Sequence, residues 1–150
     1  MAIQDLLAPW FDPSYNQTPE LADYVVAHAI ATPVLSRGIF WYEEQKADFE
    51  AAIATLLTEG WSVSEDVGPF AAFSEDQEVA KGFADQAVYG LVMVVSGLRG
   101  VSVLEMLEAS GTAGVNVQHE KEWLVPAGQC VRFDSQKRMG DIQWLYGRVV

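Results

Sequence analysis

Helical periodicity in this chain is concentrated in the first half, and strand-like runs in the second. That segregation calls for an α+β fold with a mixed, mostly antiparallel sheet, because an alternating βαβ fold needs a helix between successive strands. No Gly-x-Gly-x-x-Gly opens a helix after a strand, which removes a Rossmann domain. The 150 residues leave room for one domain and its core. With no internal repeat, low-complexity tract or long linker, residues 1–150 read as a single unit.

Local signals fill in the frame. The stretch to Gln17, with Pro9 and Pro13 among scattered aromatics, reads as an irregular N-terminal arm around a short helix. Thr18-Pro19-Glu20 is a helix start, a hydroxyl cap followed by proline at the first helical position. Leu21, Tyr24, Val25 and His28 then recur at helical spacing, and Pro33 closes the segment. Val34 to Trp41 looks extended. A second helix is expected from Glu43 to Thr58, with Phe49, Ile53, Leu56 and Leu57 on one face and Gly60 as its stop. Short strands follow at Trp61 to Val67 and Phe70 to Phe73. Ser74-Glu75-Asp76-Gln77 matches a capping box, and the helix after it is expected to turn Val79, Ala80 and Phe83 inward. Tyr89 to Leu98 should be a central strand. Val101 to Leu104, Glu122 to Val125, Gln129 to Phe133 and Asp141 to Val150 are further strand candidates, with a small-residue loop over Ala109 to Gly114.

The formal net charge is −12, so the surface repels nucleic-acid backbones and anionic membranes and suits basic partners. Apolar stretches such as Leu91 to Val95 are too short to span a bilayer, and Met1-Ala2-Ile3-Gln4-Asp5 lacks the basic start of a secretory signal. The expected setting is the cytoplasm, or a host cytosol after delivery, with the chain a monomer. Cys130, the one cysteine, lies in a strand-like run and reads as a small buried apolar residue. It and the distant His28 and His119 form no zinc-ligand cluster, so no metal is expected.

Three segments could carry chemistry. Ser36-Arg37-Gly38 puts an arginine inside an apolar strand, where it is costly to bury unless it meets an anion; its planar fork suits a phosphate, and a salt bridge is the plainer alternative. In Gly68-Pro69-Phe70-Ala71-Ala72-Phe73-Ser74, followed by Glu78-Val79-Ala80-Lys81-Gly82-Phe83, Ser74 taken alone is a helix cap. In His119-Glu120-Lys121-Glu122-Trp123-Leu124-Val125-Pro126-Ala127-Gly128, two glutamates at i and i+2 of a strand share a face. Their mutual repulsion prepares them for acid–base work, and a solvated strand edge is the plainer alternative.

Taken in order, "R-G" on an early strand, "P-F-x-x-F-S" running into "E-V-A-x-x-F", and "E-x-E-W-L-V-P-x-G" resemble the Arg–Ser–Glu class of mono-ADP-ribosyltransferases, from about Val34 to about Phe133. That class includes bacterial toxins and phage enzymes. The resemblance implies N-terminal helices on a split sheet around an NAD cleft, with NAD as substrate and no metal. Arg37 would hold the NAD phosphates and the Gly38 backbone would meet the nicotinamide amide. Phe73 and Phe83 complete the cofactor-binding set, Phe83 as the aromatic against nicotinamide. Glu122 would hydrogen-bond a hydroxyl of the nicotinamide ribose and stabilise the developing cation, and Glu120 would receive the acceptor, a protein arginine. The family's Ser-x-Ser is Ala72-Phe73-Ser74 here, so the first serine, which helps position the catalytic glutamate, is missing and Ser74 supplies the remaining hydroxyl. Hydrolysis of NAD in the same pocket, and an acidic module docking on a basic partner, are the competing readings.

Overall fold

Strands from both halves of the chain share one sheet. The computed structural model describes residues 2–11, 17–63, 68–109, 111 and 121–150. In chain order its elements are α1 (Ile3–Phe11), α2 (Pro19–His28), β1 (Ile30–Ala31), β2 (Leu35–Trp41), a 3-10 turn (Glu43–Gln45) entering α3 (Lys46–Glu59), β3 (Trp61–Ser62) and β4 (Phe70–Ser74). Then come α4 (Gln77–Ala84), β5 (Tyr89–Ser96), β6 (Arg99–Ser102), α5 (Val103–Ala109), β7 (Glu122–Pro126), β8 (Cys130–Met139) and β9 (Ile142–Val149). The nine-stranded sheet runs β1-β6-β7-β4-β2-β5-β9-β8-β3. Its β5–β9 pair is parallel and its other pairs antiparallel, so the fold is α+β with the mixed sheet expected.

One junction in this sheet is narrow. β2 pairs with β5 along its whole length, from Leu35↔Val95 to Trp41↔Tyr89, and β4 does the same with β7, from Phe70↔Pro126 to Ser74↔Glu122. Yet β2 and β4 meet in register only at Ser36↔Ser74. The sheet is therefore two sub-sheets that join at one residue pair and part beyond it.

Each face carries its own core. Leu35, Phe73, Met93, Trp123 and Leu145 form one cluster, with Ile53, Leu56 and Leu57 of α3 packed against it. On the other face of β4 and β7, α1, α2 and α5 cover Phe70 and Leu124 with Leu7, Trp10, Leu21, Val25, Met106 and Leu107. Beside them α4 lays Ala80 and Ala84 on Val92, Val94 and Trp144.

Several helix ends follow the sequence signals. Thr18 Oγ1 accepts from Leu21 N at 3.3 Å and starts α2. Gly60, at φ 76°, ends α3 by donating its N–H to the Leu56 carbonyl, a left-handed geometry that glycine adopts without strain.

Other expectations need correcting. Leu6, Leu7 and Trp10 of the N-terminal stretch are buried. Full burial of such a side chain contributes about 1.5–3 kcal/mol, so α1, the short helix expected there, is also a wall of the core. The capping box at Ser74 does not form. Ser74 stays in the sheet, and Asp76 caps α4 by accepting from Glu78 N at 2.9 Å. The inward face moves with the cap: Ala80 and Ala84 are buried, whereas Val79 and Phe83 are exposed. Val103 to Ala109 is a helix and the strand before it is Arg99–Ser102, because Ser102 Oγ accepts from Glu105 N at 3.2 Å and turns the chain. Cys130 is exposed, since β8 alternates and buries Val131 and Phe133 instead. The loop expected over Ala109 to Gly114 lies largely outside the described residues, as do His119, Pro13 and most of Trp61 to Val67.

The close seat of α4 depends on two glycines. A Cβ at Gly38 would overlap the Ala80 carbonyl oxygen, and one at Gly90 would overlap that of Ala84. These neighbours are helix backbone and cannot swing aside. Gly38→Ala is expected to destabilise the chain by about 3 kcal/mol, the upper range for overpacking, read as a lower midpoint in urea with an unchanged slope.

Candidate active site

The narrow junction lines up three polar side chains. Ser36 faces Ser74 across β2 and β4, and Ser74 faces Glu122 across β4 and β7. Directly opposed strand residues share a face, so Ser36, Ser74 and Glu122 stand in a row across three neighbouring strands. Ser36 and Ser74 are almost fully buried and Glu122 is half-buried. Ser36 Oγ donates to the Ser74 carbonyl at 3.2 Å, and Ser74 Oγ accepts from Asp76 N at 3.0 Å. A hydroxyl that accepts one bond retains its own proton to donate.

Arg37 follows Ser36 and alternates to the other side of β2, where the sub-sheets part. It is half-buried, and its Nη1 donates to the Ala72 carbonyl of β4 at 2.9 Å. The guanidinium thus reaches across the gap. Two strand widths, about 10 Å, separate the backbone beside Arg37 from that of Glu122. Gly38 lies beneath α4, and Phe83 is half-exposed on that helix. Phe73 is not brought to the row: it is buried in the opposite core, with its ring 6.1 Å from Trp61. Glu120 lies outside the described residues.

Sequence reasoning missed two supporting groups. Trp10 of α1 donates from Nε1 to Glu122 Oε1 at 2.6 Å. Glu75, next to Ser74, accepts from Trp123 Nε1 at 2.7 Å, while its own N–H donates to the Lys121 carbonyl at 3.0 Å. Lys121 also pairs with Asp76 at 3.4 Å, so the corner after β4 holds the start of β7 on both sides of Glu122. Both contacts are long-range, 48 and 112 residues apart in sequence, and no local signal marks either. Two surface depressions lie elsewhere, one between α3 and β8 at Leu56 and Arg132, the other near Tyr24 and Val101.

No model of a known protein family matches this chain, and neither does any curated protein. Solved structures do. The ADP-ribosyltransferase HopU1 of Pseudomonas syringae pv. tomato DC3000 is 16% identical and superposes with a TM-score of 0.52 over 87% of this chain and 48% of its own. The ADP-ribosyltransferase Vis, in complex with agmatine, is 16% identical with a TM-score of 0.52 over 99% of this chain and 66% of its own. Vis in complex with the M6 inhibitor gives 12% identity and a TM-score of 0.53, covering 99% of this chain and 72% of its own.

The fold is that of the ADP-ribosyltransferases. At such identities the likeness is one of fold, and this chain spans about half the length of HopU1, 48%. Within this ADP-ribosyltransferase fold, the Ser36–Ser74–Glu122 row lies where the two sub-sheets join, and Arg37, on the other face of β2, reaches β4 beside that junction. Among the described residues, no helix is long and apolar enough to cross a membrane.

Proposed function

We propose that this chain is a mono-ADP-ribosyltransferase that moves ADP-ribose from NAD to an arginine of a protein acceptor and releases nicotinamide. The observation that carries this reading is the junction itself: Arg37 on β2 and Glu122 on β7, far apart in sequence, stand on the two strands that flank β4. Arg37 supplies the cation for the pyrophosphate, and its fork can hold two phosphate oxygens at once. In this reading Gly38 offers backbone to the nicotinamide amide, and Phe83, half-exposed on α4, covers the ring. In this reading Phe73 supports β4 from the core side.

The chemistry asks little more. The bond between nicotinamide and ribose breaks, its electron pair leaves with nicotinamide, and positive charge develops at the ribose. Glu122 hydrogen-bonds a ribose hydroxyl and stabilises that charge as it forms. Ser74, with its proton still to donate, steadies the carboxylate opposite. A guanidinium nitrogen of the acceptor then bonds to the ribose carbon and gives up a proton, which Glu120 receives. The agmatine bound by Vis, itself a guanidinium compound, supports an arginine acceptor. A net charge of −12 favours a basic protein over nucleic acid.

The test is incubation of the chain with NAD and agmatine, following nicotinamide release and the mass of agmatine. Nicotinamide together with ADP-ribosylated agmatine is expected; nicotinamide with free ADP-ribose alone would make the protein a hydrolase. NAD at about a hundred times its Kd should also stabilise the fold by about 2.7 kcal/mol, raising the Tm by about 5–10 °C. Absence of that shift would favour an acidic docking module.

A further inference from the structure

Helix α1 reaches the row through one atom. Trp10 is 4% exposed and sits in the core cluster of α1, α2 and α5, with its ring centroid 5.3 Å from that of Phe70. From there its Nε1 donates to Glu122 Oε1 at 2.6 Å, a short hydrogen bond to a charged acceptor. Phe70, Ala72 and Ser74 alternate onto the same face of β4, and Ser74 is the register partner of Glu122. Ala72 therefore lies between the residue on which the indole packs and the residue opposite the carboxylate it holds. This position carries no hydroxyl, and a side-chain donor to Glu122 comes instead from the helix above.

We infer that Trp10 is the positioning residue of Glu122. Its indole N–H supplies from α1 the orienting hydrogen bond that a serine at position 72 would supply from β4. The inference rests on the proposed role of Glu122. An indole fixed in a core by Leu6, Leu7 and Phe70 does not swing, so it holds the carboxylate in one rotamer. It also makes α1 part of the active site's support.

Two measurements on the full chain test this. The first needs no activity: the assigned Trp10 indole N–H resonance should lie downfield and protected from exchange, and should move upfield in Glu122→Gln, where the acceptor loses its charge. The second uses Trp10→Phe, which keeps an aromatic ring on Phe70 and removes the donor. Its kcat for nicotinamide release should fall about tenfold, with KM for NAD within about twofold, as a group acting on the transition state requires. Adding Ala72→Ser should restore most of that loss. A resonance indifferent to Glu122→Gln would overturn the inference. So would a kcat that is unchanged or raised in Trp10→Phe, or a loss shared by KM and untouched by Ala72→Ser. If the unaltered chain releases no nicotinamide, the proposed activity fails, and the resonance still decides whether Trp10 holds Glu122.

Discussion

Glu122→Gln is expected to lower the rate of NAD cleavage by about a thousandfold while leaving NAD affinity within a few-fold. The substitution keeps the shape and a hydrogen-bond acceptor for the ribose hydroxyl, so the ground state loses little. What disappears is a full negative charge placed before the reaction against a cation that exists only during it. Preplaced charge of this kind is worth about 2.7–4 kcal/mol in the transition state, or two to three orders of magnitude in rate. Half-burial between β4 and α1 adds to its strength by limiting access of water. Nicotinamide release under saturating NAD measures the rate, and calorimetric titration measures the affinity. A glutamine variant with near-normal turnover would remove Glu122 from the chemistry.

The second large effect falls on binding. Arg37→Lys should weaken NAD binding by about ten- to a hundredfold and leave the maximal rate nearly unchanged. Lysine keeps the charge but loses the planar fork, so it can meet the pyrophosphate only as a point and cannot at the same time donate to the Ala72 carbonyl across the gap. Both losses act on the substrate complex and the transition state alike, which raises KM without lowering kcat. A titration of the variant with NAD reads the effect directly. An affinity equal to that of the unaltered chain would show that the phosphates are held elsewhere.

Much of the scaffold was legible because its signals are local. Thr18-Pro19 and Gly60 mark helix ends through bonds that close within four residues, and the structure keeps them. The run from Tyr89 is β-branched and apolar enough to require a strand buried on both faces. Ser74 shows where local reasoning stops. Its capping box is sound chemistry, but the serine is paired in the sheet with Ser36 and Glu122, and tertiary pairing outweighs a cap worth about 1 kcal/mol. Helix α5 has a readable local signal as well: Ser102 with Glu105 is a capping pair, and Val103, Met106 and Leu107 recur at helical spacing.

The site divides in the same way. Glu122 and Ser74 sit opposite each other through a long-range strand register that no local signal states. Gly38 has a second reason to be glycine that no motif states, the close approach of α4. Trp10 could not be found by pattern at all. It lies outside the resembling segment, and its contact exists only because α1 folds back over β4 and β7.

The account turns on Arg37 and Glu122 gripping one dinucleotide from its two sides. A crystal structure of the Glu122→Gln chain with NAD tests that most directly. The pyrophosphate should lie against the Arg37 guanidinium, and a hydroxyl of the nicotinamide ribose should lie within hydrogen-bond distance of the side chain at position 122. NAD bound out of contact with either side chain would contradict it.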